Sequence, residues 1–393
     1  MSEGTTRYPE FRAAGLLQMA SMATGLADFG PETFRAGLER LLDSVNGLRL
    51  TDLGVLRARN AVLGNLAARL GVWDHRKRHP QLAEEEIRSP IFVIGLPRTG
   101  TTLLFGLLAQ DPDHRAPLLW ETSMPCPPPE AAGYETDPRI ALVTESLKQV
   151  DGLNPKVLAV HPIGARLPQE CIGIFSMEFL SYIFYCGLPI RGYNDWLDEQ
   201  DVSSAYRWHR LFLQHLQSRH RRKRWVLKAP SHMAFMGHLF ETYPDALIIN
   251  THRSPVTAVA SHASLHWHLW EQSLGRFDPK EVGPQTADML ERWLRRFVAW
   301  RNAHPGHEAR IADVVYADLV SDPIGTVHSI YRRFGLPVTP VFEQRMRAFL
   351  AENRQDRHGT HHYLPDEFGL EEQALRERFR FYVERFDVHD HDR

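Results

Sequence analysis

The sequence predicts an α/β fold in which a parallel sheet is flanked by helices and preceded by a helical N-terminal subdomain. Three observations indicate this fold. Short apolar runs typical of buried strands alternate with helical stretches, which is the pattern of parallel sheets. Before residue 90, apolar residues recur instead at helical spacing. A glycine-containing turn joins the first apolar run to the helix that follows it.

The composition is that of an ordinary globular protein. The chain has 393 residues, of which 43% are hydrophobic, and 46 Lys and Arg against 48 Asp and Glu give a formal charge of −2. Its length suits one large domain, or a core domain with a smaller accessory unit. Because nucleic-acid-binding proteins usually carry a surplus of positive charge, this balance argues against nucleic acid and against a polyanionic acceptor, although not against a local basic cleft.

The sequence also indicates the compartment. The three cysteines, Cys126, Cys171 and Cys186, form no CxxC pair and are too few for a disulfide framework. The N-terminus shows no secretory signal. Residues 171–190 are about as long as a membrane span, but Glu178 near their middle favours a buried helix or the wall of an acceptor pocket. We therefore expect a cytoplasmic protein with no transmembrane span.

The N-terminal part is predicted to be helical. Apolar residues recur at helical spacing over residues 34–45 and again over residues 53–70. The pattern changes at Ser89-Pro90, after which Ile-Phe-Val-Ile at residues 91–94 forms a run typical of a fully buried strand. The predicted units are a helical N-terminal subdomain, residues 1–89, and an α/β domain, residues 90–393.

Later apolar runs are predicted to be strands of the same sheet: residues 225–227, 246–251 and 311–316. Helical stretches separate them, for example over residues 232–242 and 287–302. Because strands that run parallel need a crossover connection, usually a helix, this alternation predicts one parallel sheet with helices on its faces.

The turn after the first strand has the features of an anion-binding loop. It reads GLPRTGTT over residues 95–102 and leads into a helix predicted over residues 102–108. Its glycines let backbone N–H groups converge, and the helix N-terminus adds partial positive charge. The G-x-x-x-x-G spacing is that of a Walker A loop, but Thr101 stands where a nucleotide triphosphatase has lysine. Arg98 supplies the cation of the loop, which suits a transferring sulfuryl group.

This loop resembles the first motif, P-R-[ST]-G-T-T, of soluble sulfotransferases that have a P-loop-type fold. The resemblance implies 3′-phosphoadenosine 5′-phosphosulfate (PAPS) as the donor and no required metal. It also implies that five loop residues surround the 5′-phosphosulfate: Arg98, Thr99, Gly100, Thr101 and Thr102.

A second motif strengthens the resemblance. In sulfotransferases an arginine at a strand end and a serine eight residues later hold the 3′-phosphate of the donor, and Arg253 and Ser261 have this spacing. The guanidinium of Arg253 would offer several N–H donors at the carboxyl end of its strand.

Tyr316, in a YADLVSDP segment, resembles the family's tyrosine near the adenine. A looser match is the glycine-containing basic loop that closes over the 3′-phosphate: Arg357, His358 and Gly359.

Lys228, at the end of the strand before Arg253, resembles the lysine that contacts the bridging oxygen between sulfuryl and phosphate. Its ammonium would stabilise charge on the departing phosphate. Related small-molecule enzymes place a catalytic histidine two residues after this lysine. Here His232 follows four residues after Lys228. The preferred general base is instead Glu121, which follows Arg98 by 23 residues. The tyrosylprotein and heparan sulfotransferases carry a catalytic glutamate at about the same distance after their loop, and a carboxylate can accept the proton of the acceptor hydroxyl.

Other residues are weaker candidates for the base, namely His161 and Glu170. The spacing of His262, His266 and His268 on a predicted helix would suit metal ligands, but no HExxH and no cysteine accompany it, so a polar or pocket-lining helix is favoured over a metal site.

The predicted function is transfer of a sulfuryl group from PAPS to a hydroxyl of a small or lipophilic acceptor. Residues 172–188 and the N-terminal helices are expected to form the walls of the acceptor pocket. Two alternatives remain open: a P-loop nucleotide-dependent kinase or hydrolase, against which the missing loop lysine argues, and a non-catalytic nucleotide-binding protein.

Overall fold

A five-stranded parallel sheet forms the centre of the computed structural model, which describes residues 10–149, 163–275, 277–353 and 364–388. The strands lie in the order β2-β3-β1-β4-β5. They are β1 Ile91–Gly95, β2 His114–Arg115, β3 Arg224–Lys228, β4 Leu247–His252 and β5 Ile311–Val315. Because all pairings are parallel, the carboxyl ends of the strands meet at one edge of the sheet.

The central strand is the one that the sequence marks most clearly. All five residues of β1 are buried, as expected of a strand covered on both faces. It pairs with β3 and β4, so that Val93 lies opposite both Lys228 and Ile249. The predicted parallel sheet is confirmed. The edge strand β2 was not predicted, because its two residues, a histidine and an arginine, form no apolar run.

Helices cover the sheet and build the N-terminal part. In the described residues they are α1 Ala13–Thr24, α2 Arg35–Asn46, α3 Asp52–Arg78, α4 Thr101–Leu108, α5 Leu119–Ser123, α6 Pro138–Gln149, α7 Cys171–Phe175, α8 Ile183–Gly187, α9 Arg191–Leu197, α10 Ser203–Gln217, α11 Met236–Thr242, α12 Pro255–Leu274, α13 Val282–Ala303, α14 Tyr316–Ser321, α15 Pro323–Arg333, α16 Pro340–Glu352 and α17 Glu372–Phe386.

The N-terminal helices share a hydrophobic core with the sheet. Leu38 of α2 and Leu66 of α3 belong to the same buried cluster as Phe92 and Ile94 of β1. Because α1, α2 and α3 make up most of this part, the helical character predicted for it is confirmed. The boundary at residue 89 stays a prediction, since residues on both sides of it contribute to one core.

A buried arginine ties the N-terminal helices to the segment that follows residue 170. Arg69 of α3 is fully buried and pairs with Glu178. It also donates to the carbonyls of Phe29 and Pro31, each at 2.8 Å, and of Met177 at 3.2 Å. This pairing explains the glutamate in the middle of the apolar stretch 171–190. No helix in the described part of the chain is long and apolar enough to cross a membrane.

Candidate active site

The loop between β1 and α4 is shaped to present backbone N–H groups. Arg98 and Gly100 both have positive φ, 70° and 84°. A Cβ atom on Gly100 would lie 2.8 Å from a methyl of Leu319, so glycine is required there. The buried Thr99 hydroxyl donates to the Leu96 carbonyl at 2.6 Å and lies 2.6 Å from the hydroxyl of Thr251 on β4. The loop is thus held in a curled conformation at the N-terminus of α4, where an anion is stabilised.

Lys228 and Glu170 form an ion pair beside this loop. β3 neighbours β1, and this places Lys228 next to the start of α4. Its Nζ donates to Thr102 Oγ1 at 3.2 Å and to Glu170 Oε1 at 2.5 Å. The two side chains are largely buried, at 4% and 13% exposure. A cation and a carboxylate therefore lie together at the predicted phosphosulfate site.

Arg253 and Ser261 also lie at the loop. Arg253 follows β4 and donates to the Arg98 carbonyl at 3.0 Å, and its guanidinium stacks 4.1 Å from the ring centre of Tyr316. The Arg98 Nε donates to the Ser261 hydroxyl of α12 at 3.1 Å. Residues far apart in sequence thus meet at the carboxyl edge of the sheet. Two guanidiniums and the Lys228 ammonium give this edge the character of a polyanion site.

A hydrogen-bond network that the sequence does not reveal supports the end of β4. His252, directly before Arg253, contacts Asp313 of β5 at 2.8 Å and the Tyr382 hydroxyl of α17 at 2.7 Å. Burial raises the pKa of Asp313, but hydrogen bonds and charge from His252 and Arg301 outweigh burial, and the pKa lies well below its usual value. The ionised carboxylate therefore fixes His252 and, through it, the backbone that carries Arg253.

The placement of Glu121 contradicts the expectation that it faces the acceptor. Glu121 is fully buried in an ion pair with Arg115 of β2. Its second oxygen accepts hydrogen bonds from the Leu118 backbone N–H at 2.8 Å and the Tyr134 hydroxyl at 3.0 Å. Its distance in sequence from the loop matched the family, but that distance does not determine where the side chain points. The buried ion pair with Arg115 therefore argues against Glu121 as the base.

We expect Glu121→Gln to impair folding rather than chemistry. Removing one charge of a buried ion pair leaves Arg115 uncompensated and should lower the free energy of unfolding by about 3 kcal/mol. Turnover per folded molecule should stay near the wild-type value. Denaturant unfolding and the kcat of a sample shown to be folded check this. A fully folded Glu121→Gln protein that has lost activity a hundredfold would restore Glu121 as the base.

His232 is a core residue rather than a base. It is fully buried, its Nδ1 lies 2.7 Å from the Tyr206 hydroxyl, and its ring packs edge-on against Phe92 with centres 5.0 Å apart. Burial, with a smaller contribution from His209, lowers the pKa of His232 well below its usual value. The remaining predicted site residues lie outside the described residues: His161, Arg357, His358 and Gly359.

The histidines of α12 pack within the protein. The rings of His262 and His266 lie 4.1 Å apart, and His266 stacks on Trp270. Burial lowers the pKa of His266 to about 3. In the parts of the chain that are described, no group of three or more His, Cys, Asp or Glu residues is arranged to hold a metal ion.

An apolar cavity of about 500 Å³ lies between the N-terminal helices and the segment that follows Glu170. Its walls come from α2, α3, α5, α7, α8 and α12, so both regions predicted to line the acceptor pocket contribute to one cavity. Gln169, the neighbour of Glu170, is also part of the lining. Representative apolar residues of the walls are Leu41, Val45, Ala61, Phe184, Leu188 and Leu269. A volume of this size accommodates a small organic molecule.

Comparison with known proteins agrees with this geometry. The profile described as "Sulfotransferase family" matches residues 90–340. The omega-hydroxy-beta-dihydromenaquinone-9 sulfotransferase Stf3 of Mycobacterium bovis is 29% identical over 306 residues, 72% of each chain. The sulfotransferase STF1 from Mycobacterium tuberculosis H37Rv superposes with a TM-score of 0.84 at 35% identity, over 94% of this chain and 98% of that one. STF9 from Mycobacterium avium superposes with a TM-score of 0.88 at 31% identity, over 99% and 98%. The chain therefore belongs to the sulfotransferase family.

Proposed function

We propose that this sulfotransferase transfers the sulfuryl group of PAPS to the hydroxyl of a lipophilic alcohol, with Glu170 as the general base. One observation carries the proposal: the Lys228–Glu170 ion pair lies beside the anion-binding loop, and the residue before Glu170 lines the apolar cavity. An anionic donor and an apolar acceptor could therefore both reach this pair.

The donor would be held by two groups of residues. The backbone N–H groups of residues 98–102 and the Lys228 ammonium would bind the phosphosulfate. Arg253 and Ser261 would bind the 3′-phosphate, because a guanidinium offers two parallel hydrogen bonds to phosphate oxygens. Tyr316, stacked on Arg253, would flank the nucleoside.

The reaction requires one proton acceptor and one group that stabilises the leaving phosphate. The acceptor oxygen attacks sulfur and forms the new O–S bond. The bond between sulfur and the bridging oxygen breaks, and its electron pair leaves with the phosphate. The hydroxyl proton goes to Glu170, and Lys228 stabilises the charge on the leaving phosphate. In the structure these two side chains contact each other beside the anion-binding loop.

The acceptor class follows from the cavity. Residues from six helices, most of them apolar, line it, and Arg57 is its one charged residue among those described. Stf3 is named for a hydroxylated menaquinone, so a relative of this chain acts on a hydroxyl-bearing compound of that kind. Both points support a lipophilic alcohol. A kinase or hydrolase is not favoured, because Thr101 stands where lysine would contact the β- and γ-phosphates of a nucleotide triphosphate.

Transfer of label from ³⁵S-PAPS to primary alcohols of increasing chain length tests this function. We expect a labelled sulfate ester, with kcat/KM rising by up to about fourfold for each added methylene until the cavity is filled. PAPS that binds without forming any ester would indicate a non-catalytic nucleotide-binding protein. Hydrolysis of ATP in place of ester formation would indicate the kinase or hydrolase.

Arg253→Ala should weaken binding of adenosine 3′,5′-bisphosphate by roughly 10- to 100-fold, since a charge-assisted hydrogen bond contributes about 1.5–3 kcal/mol. Calorimetry with the bisphosphate measures the change. Arg253→Lys is the matched control. Lysine keeps the positive charge but cannot form two parallel hydrogen bonds to the phosphate, so the affinity should be intermediate. Unchanged affinity in Arg253→Ala would remove this residue from the donor site.

A substitution at Gly64 tests the cavity as the acceptor site. Gly64 of α3 lines the cavity, and a Cβ atom there would meet nothing within 4 Å. Gly64→Phe should therefore fold and occupy part of the cavity, raising the KM of a long-chain alcohol by about tenfold or more with little change for a short one. Gly64→Ala is the control, because it shares the backbone change without the volume. Equal KM values for Gly64→Phe and Gly64→Ala with the long alcohol would place the acceptor elsewhere.

A further inference from the structure

We propose that the face formed by α1 and the first two turns of α3 docks on an anionic phospholipid bilayer. This inference rests on the proposed function, because a lipophilic acceptor resides in a bilayer and has to enter the cavity from it. We call this surface the α1–α3 face and define it by four exposed side chains: Met19, Met22, Leu53 and Leu56.

The first observation is the apolar character of a surface helix. None of the twelve residues of α1 is charged, although half of the helix is exposed to solvent. Met22 is 78% exposed and Met19 44%. A helix that faces water normally carries charged residues on its outer side. An uncharged outer face with protruding methionines is typical of a helix that lies in contact with another apolar phase.

The second observation is that the start of α3 extends this apolar surface. Leu53 and Leu56 are 39% and 45% exposed. A groove of about 430 Å³ lies between the start of α3 and α1, with Met19 and Leu56 in its lining. Eleven large apolar side chains are exposed in the described part of the chain, and four of them are on this face. This concentration distinguishes the face from scattered surface apolar residues, which need no explanation.

The third observation is continuity with the acceptor cavity. Phe11 lines both the groove and the cavity, and the outer side of α3 leads from one to the other through Asn60, Ala61 and Gly64, which are exposed and also line the cavity. A molecule that left a bilayer at the α1–α3 face would therefore be next to the mouth of the cavity.

The charges around the face favour an anionic lipid surface. Arg12 and Arg59 line the groove with Glu10 and Asp52, which is a formally neutral set, and Arg57 lines the cavity, so that the two linings together carry a net charge of +1. The Nη2 atom of Arg57 is buried with no hydrogen-bond partner among the described residues. Arginines beside an apolar face are the composition of segments that lie on anionic membranes.

Flotation with lipid vesicles tests the proposal. The full chain should float with vesicles of phosphatidylcholine and phosphatidylglycerol, bind far less to phosphatidylcholine alone, and be released by high salt. Met22→Glu/Leu56→Glu and Arg12→Glu/Arg59→Glu should each reduce the bound fraction about tenfold or more. Val341→Glu is the matched control: Val341 is also exposed, but on α16, and its substitution should not affect binding.

The outcomes separate this inference from the proposed function. Wild-type protein that does not float, or a Met22→Glu/Leu56→Glu protein that floats like the wild type, would overturn the docking surface even if sulfuryl transfer is observed. Flotation of the wild type without transfer to any alcohol would contradict the proposed function alone. The Met22→Glu/Leu56→Glu protein should retain turnover of a short, water-soluble alcohol. Binding that requires an added protein in place of lipid would overturn the bilayer as the occupant.

Discussion

Glu170→Gln should lower kcat by about 10²- to 10⁴-fold, the usual contribution of a general base. Glutamine keeps the shape of the side chain but cannot accept the hydroxyl proton. The carboxylate lies against the ammonium of Lys228 and next to the cavity lining, so that its loss affects the reacting hydroxyl more than the donor. Steady-state transfer to an aliphatic alcohol measures the effect, because an acidic phenol needs less help with proton removal.

A Glu121→Gln sample shown to be folded is the control for this experiment, since it neutralises a second buried carboxylate, which pairs with Arg115 and not with Lys228. Calorimetry should show that Glu170→Gln still binds adenosine 3′,5′-bisphosphate. A Glu170→Gln enzyme with nearly normal kcat would exclude Glu170 as the base.

Lys228→Met should lower kcat by roughly 10²- to 10³-fold, the scale seen when one group that stabilises developing charge is removed. The ammonium acts most strongly on the leaving phosphate, where negative charge increases in the transition state. Donor affinity should therefore fall much less than kcat. Parallel measurements of kcat and of bisphosphate affinity separate the two effects.

Lys223→Met controls for the loss of a lysine near the same strand, because Lys223 is exposed and pairs with Asp113 outside the site. It should change neither quantity. If Lys228→Met instead abolished donor binding and left kcat intact, Lys228 would serve ground-state binding only.

Most of the sheet was predictable from short apolar runs. One such run is Ile91 to Ile94. A short, continuously apolar run of this kind is typical of a strand that is buried on both faces of a sheet, as β1 is. The helix predicted over residues 232–242 begins in the structure as a 3₁₀ turn, Pro230–Phe235, before α11. β2 was not predicted, because its strand conformation depends on pairing with β3 and not on the β-propensity of its own two residues.

The residues that meet at the carboxyl edge of the sheet were easier to find in the sequence than the ion pair of Lys228 with Glu170. The loop, Arg253 and Ser261 belong to local motifs attached to strand ends, and parallel strands bring such ends together. Glu170 precedes a five-residue helix and follows no predicted strand, so only tertiary packing shows that it meets Lys228. The distance of Glu121 from the loop in the sequence matched the family, but its carboxylate forms an ion pair with Arg115 of β2, a strand that was not predicted.

The central claim is that Lys228 and Glu170 act as one reacting centre. Single-turnover transfer of ³⁵S from PAPS to a long-chain alcohol, compared for the wild type, both single variants and Glu170→Gln/Lys228→Met, tests it most directly. Residues that act as a unit show non-additive losses, so the double variant should be little slower than the slower single variant. Losses that multiply would contradict the claim, because they would mean that the two side chains contribute independently.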